Sequence, residues 1–110
     1  MRYWTVEEAR DYLPRLRRLV ALVQEAVVPS PETGRLTLVA GSEHAEAAMA
    51  ELAERGVILR QLEAGLVDFP SLDESGRLRL LCWRVGEDEL AWWHRPEDGF
   101  AGRRPLDPGA

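Results

Sequence analysis

The chain has no lysine and no asparagine; all 14 of its basic residues are arginine. GC-rich coding accounts for that bias most simply, and the loss of asparagine also removes a heat-labile residue. One cysteine, Cys82, excludes a disulfide within the chain. No apolar run approaches the roughly 18 residues that a membrane-spanning helix needs. The opening "MRYWTVEEARDYL" has neither an apolar signal core nor a small-residue cleavage site, so a cytoplasmic location is expected. Positive charge is also short, at a net −5. Nucleic-acid and anionic-membrane binders draw most of their affinity from neutralising phosphate, so neither partner is expected. Arg15, Arg17 and Arg18 form a small basic run, but Glu7, Glu8 and Asp11 lie beside it, and the run reads as the solvated face of a helix.

What is present fits one soluble domain. The 110 residues are 45% hydrophobic and 30% charged, enough to bury one core. Thr5-Val6-Glu7-Glu8 forms a capping box and should start a helix. Pro14 removes a hydrogen bond and crowds the preceding turn, so a first helix to about Leu13 is expected, then a kink or fresh start. Leu16, Leu19, Val20, Val23 and Val27 continue as one apolar stripe until Pro29 and Pro31. "PSPETGRLTLVAGS" is a connection in which residues 35–39 form at most a short strand. Ser42 is the expected N-cap of a second helix with Ala45, Ala48, Met49 and Leu52 inward, and Gly56 is its stop. The two helices should make an antiparallel hairpin that also offers a face to a second subunit.

After Gly56 the pattern changes to short strands: residues 57–59, "LVDFP" ended by Pro70, residues 77–85 and residues 90–94. Helices first and an antiparallel sheet second make an α+β domain, expected over residues 1–104 with a flexible tail at 105–110.

The stretch "LLCWRVGEDELAWWHRPEDGF" gathers the cysteine, three of the four tryptophans and His94. Strand alternation puts Leu80, Cys82 and Arg84 on one face and Leu81, Trp83 and Val85 on the other. A four-residue loop, Gly86 to Glu89, would pair Val85 with Leu90 and send Cys82 and His94 to opposite faces. A bulge or three-residue loop would set them across from each other. The even loop is the expectation.

Asp68, Cys82, Glu89 and His94 are ligand types for zinc or iron, and Asp68 interrupts an apolar strand. Their spacing matches no established metal code. Against that reading, free cysteine is usually a small buried hydrophobe, His94 can be an interfacial ring hydrogen-bonded to backbone or carboxylate, and Asp68 can be a turn acceptor. Trp83, Trp92 and Trp93 with Phe100, edged by Arg84, Arg95, Arg103 and Arg104, can form an aromatic wall with a cationic rim for a planar or anionic small ligand. Against this, large rings also serve to cover the helix-packed face of a sheet. The run Glu87-Asp88-Glu89 reads as a solvated turn.

"YWTVEEARDYLP", "ERGVILRQLEAGLVDFPS" and "LCWRVGEDELAWWHRPEDGFAGRRPL" together resemble an uncharacterised bacterial family, family 2203 of the domains of unknown function. The chain departs from it in the middle, where members carry a longer and more charged helical pair. The resemblance implies no known activity. It implies that Asp68, Cys82, Trp83, Glu87, Glu89, Trp93, His94, Gly99, Phe100 and Arg103 fit the family's motif.

The resulting expectation is a non-enzymatic binding or assembly protein, homodimeric, with a metal ion or small anionic ligand on its C-terminal sheet. The alternatives are a small enzyme using Cys82 and His94, with Asp68 or Glu89 orienting the histidine, and a structural subunit that docks on a protein partner through its aromatic face.

Overall fold

The computed structural model describes residues 2–38 and 42–107. Helix α1 spans Val6–Glu25, and its capping box is complete. The Glu8 amide donates to Thr5 Oγ1 at 3.0 Å and the Thr5 amide donates to Glu8 Oε1 at 2.9 Å. The helix runs through Pro14 as one element, so it does not end at Leu13 and make a fresh start. Pro14 is exposed, while Val6, Ala9, Tyr12, Leu13, Leu16, Leu19, Val20 and Val23 are buried on both sides of it. An interior proline costs about 3 kcal/mol. Burying each large apolar side chain returns about 1.5–3 kcal/mol, so the continuous stripe wins.

Val27 leaves that stripe. Strand β1 (Val27–Pro29) pairs antiparallel with β2 (Leu36–Leu38) as a small separate hairpin. The alternative of a short strand within 35–39, left open by the sequence, is thus realised at Leu36–Leu38, and residue 39 lies outside the described residues. Helix α2 spans Glu43–Glu54 and begins after Ser42, whose side chain makes no capping bond. Ala45, Ala48 and Leu52 face inward, but Met49 is exposed. Gly56 (φ 73°) closes the helix: its amide donates to Ala53 O and the Val57 amide donates to Leu52 O. That is a Schellman stop, and its positive φ suits glycine. Glu51 ties the helices together, accepting from Tyr12 Oη at 2.6 Å and from Arg15 Nε at 2.6 Å.

The remaining strands are β3 (Ile58–Gln61), β4 (Leu66–Leu72), β5 (Leu78–Arg84), β6 (Trp92–His94) and β7 (Arg104–Pro105). They form one antiparallel five-stranded sheet in chain order. With the two N-terminal helices this is the expected α+β architecture. Pro70 does not end β4. Its carbonyl accepts from the Trp4 amide at 2.7 Å, on the side of β4 away from β5, so its missing N–H removes no bond to β5. Leu106 is buried, and its amide donates to Ala91 O at 2.8 Å.

The two faces of the sheet differ. Val67, Phe69, Leu81 and Trp83 face the helices and join Trp4, Leu13, Leu16 and Val20 in the main core. Asp68, Leu80, Cys82 and His94 alternate with them, so they lie on the opposite face, and all four are buried there.

Candidate functional site

Register builds the site. In β4 and β5, Asp68 is the direct partner of Cys82. In β5 and β6 the pairs are Leu80 with His94, Leu81 with Trp93 and Cys82 with Trp92. The even four-residue loop is overturned: Cys82 and His94 share a face, as diagonal neighbours. The loop is longer than expected because Leu90 does not extend β6. It is fully buried as a plug in the main core. The Glu87 carboxylate accepts from the Arg84 amide at 2.8 Å, and the Glu87 carbonyl accepts from Trp83 Nε1 at 3.0 Å.

Three adjacent strands thus deliver a carboxylate, a thiol and an imidazole to one point. Ligand atoms of Asp68, Cys82 and His94 all lie within 4.8 Å of one another. A tetrahedral zinc ion with bonds of 2.0–2.3 Å separates its ligand atoms by roughly 3.5 Å, so a small adjustment closes the set on an ion. Each ligand has outer support. His94 Nδ1 lies 2.8 Å from the Arg95 carbonyl, which can only accept, so Nδ1 carries the proton. His94 Nε2 then faces Asp68 Oδ1 at 3.0 Å. Asp68 Oδ2 accepts from Arg60 Nε at 2.8 Å. A histidine fixed through its far nitrogen and a carboxylate held by a second donor are the outer contacts that metal ligands use.

Cys82 is a neutral thiol in this setting. Burial pushes it up to about 12, the Asp68 charge adds to the push, and Arg103 opposes it. An attacking cysteine needs the reverse, an exposed thiol in an electropositive setting.

Arg60 carries no sequence motif. It is the extra residue where the β3–β4 register shifts between Leu59 and Gln61. The available signal was indirect: a carboxylate buried in a strand needs a cation, and Arg60 lies in the strand paired to it.

The other sequence-derived residues divide. Glu89 is exposed and lines a separate cleft with Arg10, Leu13 and Leu106. Trp83 is buried in the main core, and half-buried Trp93 packs on the same side. Arg84, Phe100 and Arg103 lie together elsewhere, with the Arg84 and Arg103 guanidinium carbons 5.7 and 4.6 Å from the Phe100 ring centre. The expected single aromatic wall is therefore split between two faces. Arg79, Arg95 and Arg104 crowd the Trp93 ring and Arg103 stacks on Trp92, so neither tryptophan offers a bare docking face.

The chain from 95 to 103 covers the site, clamped at both ends. Arg95 donates to Asp73 Oδ2 at 2.7 Å and to Leu78 O at 2.9 Å. Arg103 donates to both Glu87 oxygens, at 2.6 and 2.8 Å, and to Cys82 O at 3.2 Å. Burial pushes the Glu87 carboxyl up, but Arg103 and the Arg84 amide outweigh that and hold it below its ordinary value. Glu87 is thus an anchor, not part of a solvated turn.

A family model described as "Uncharacterized conserved protein (DUF2203)" matches residues 32–106. The chain belongs to this family. In this DUF2203 protein the matched region holds α2, the whole five-stranded sheet and every residue of the Asp68–Cys82–His94 cluster. No curated protein and no solved structure matches it.

Proposed function

We propose that this DUF2203 protein binds a divalent transition metal, zinc or iron, through Asp68 Oδ1, Cys82 Sγ and His94 Nε2. The observation that carries this reading is the convergence of three different ligand types within 4.8 Å in a buried setting. The contact from His94 Nδ1 to Arg95 O, which aims the other ring nitrogen at the cluster, supports it. Mixed O, S and N donors suit zinc or iron better than the oxygen-preferring magnesium or calcium. Three protein ligands leave one coordination position open.

The test is elemental analysis of protein purified without chelator, followed by cobalt(II) loading. Near one equivalent of metal is expected, with a thiolate-to-cobalt absorption band that disappears in Cys82→Ala. His94→Ala should weaken binding without removing that band. Protein that stays metal-free after incubation with zinc and with iron(II) refutes the reading and leaves the trio as a buried hydrogen-bond network.

A bacterial cytoplasmic setting is part of the same proposal, because a reducing compartment preserves a free thiol ligand. Among the described residues no helix is long and apolar enough to cross a membrane. Self-association as a homodimer is proposed through the helices, whose Leu22 and Met49 are exposed. Sedimentation showing only monomer would end that part.

A further inference from the structure

Two of the three proposed ligands, Asp68 and His94, border a cleft. A cavity of about 350 Å³ opens against Asp68 and His94, walled by Arg60, Leu66, Pro96, Gly99 and Phe100. Among the described residues Asp68 is the only carboxylate on its lining. Arg60 uses its Nε on Asp68, and its side chain is 47% exposed. Arg84, exposed and 5.7 Å from the Phe100 ring, adds positive charge nearby.

Charge balance then narrows the occupant. A divalent ion, the Cys82 thiolate, the Asp68 carboxylate and neutral His94 sum to zero, and the Arg60 guanidinium leaves one positive charge. Such a site is completed by a monoanion. Leu66, Pro96 and Phe100 give the rest of the cleft an apolar lining. The cover carrying Pro96 and Phe100 is fixed by the Arg95 and Arg103 clamps, so this shape is built in advance.

We infer that the cleft takes a small monocarboxylate with an apolar or aromatic body. The carboxylate completes the metal's coordination and pairs with Arg60, and the body lies against Leu66, Pro96 and Phe100. This inference rests on the metal reading above.

Benzoate and acetate are the probes, titrated into cobalt(II)-loaded full-length protein while the visible cobalt bands are followed. Benzoate should shift those bands saturably and bind about tenfold more tightly than acetate, from burial of the ring. Arg60→Gln also loses the second donor on Asp68, so it is compared at saturating cobalt(II), where it should weaken benzoate about tenfold or more, the loss expected for one charge-assisted pair. Phe100→Ala should retain cobalt and erase the preference for benzoate. Cobalt bands that ignore benzoate overturn the inference while the metal reading stands, as does an Arg60→Gln affinity equal to wild type. Benzoate binding of equal strength in metal-free protein also overturns it. Protein that takes up no cobalt removes both.

Discussion

Metal binding at this site should be coupled to proton release, and Cys82 sets the strength of that coupling. Burial and the neighbouring Asp68 charge hold the thiol at about 12. A metal ligand must be the thiolate. Removing that proton near neutral pH spans about five pH units, or ~7 kcal/mol at 1.36 kcal/mol per unit. Structural zinc sites reach apparent binding energies of about 10–16 kcal/mol at pH 7, which already include deprotonating ordinary thiols near about 8.5, so the excess for Cys82 is ~5 kcal/mol and zinc still wins with reduced apparent affinity. The displaced thiol proton makes the apparent affinity rise about tenfold per pH unit. Cys82→Ala removes that proton, and its slope should flatten. Competition against a chromophoric chelator across neutral pH measures both slopes. Calorimetry in buffers of different ionisation enthalpy counts the protons directly. An affinity independent of pH, or the same slope with and without Cys82, refutes the reasoning.

Two further predictions concern the scaffold. Arg15 and Tyr12 hold the Glu51 carboxyl at about 2, below its ordinary 4.5. A depressed carboxylate stabilises the fold fully above its unfolded value, and that share is lost as pH falls through about 2. Glu51→Gln should therefore cost about 1–2 kcal/mol at neutral pH, read from urea midpoints, and flatten the acid limb of the stability profile. An unchanged acid limb would show that Glu51 does not couple the helices. Gly65 has φ 61°, and a Cβ there would collide with the Val85 side chain, at 2.9 Å from its Cβ. Gly65→Ala should destabilise by about 2–4 kcal/mol from strained φ plus overpacking, and thermal melts within error of wild type would contradict that geometry.

Local signals were readable because they depend on neighbours in sequence. The Thr5 capping box and the Gly56 stop are written within six residues and occur as expected. Pro14 was misleading because its penalty is local while the stripe that outweighs it is tertiary. The site turned on parity, and parity was hidden in the function of one leucine. Leu90 looks like a strand residue, but it fills the core before β6 begins, which moves His94 opposite Leu80 instead of Leu81. A single step of register reverses faces, so no composition argument could have placed Cys82 and His94 together. Arg60 was legible only indirectly, as a cation near a buried carboxylate, and the register shift in β3 is what sets it on Asp68.

The chemistry-bearing residues of the matched region separate into three physical tasks. Trp83 and Trp93 pack the helix side of the sheet. Glu87 and Arg103 fasten the cover over the opposite side, and Gly99 and Phe100 shape the cavity beneath it. Asp68, Cys82 and His94 are what the cover encloses. A cover of so few residues could bury apolar side chains more cheaply, because two carboxylates and two guanidinium groups need not then be desolvated at its ends. Its clamps instead enclose a carboxylate, a thiol and an imidazole, at a cost that apolar residues in those places would avoid. That expense is hard to explain as core packing alone. It is readily explained if the enclosed donors must stay aimed at one point and closed to bulk water on all sides except the Arg60 cleft.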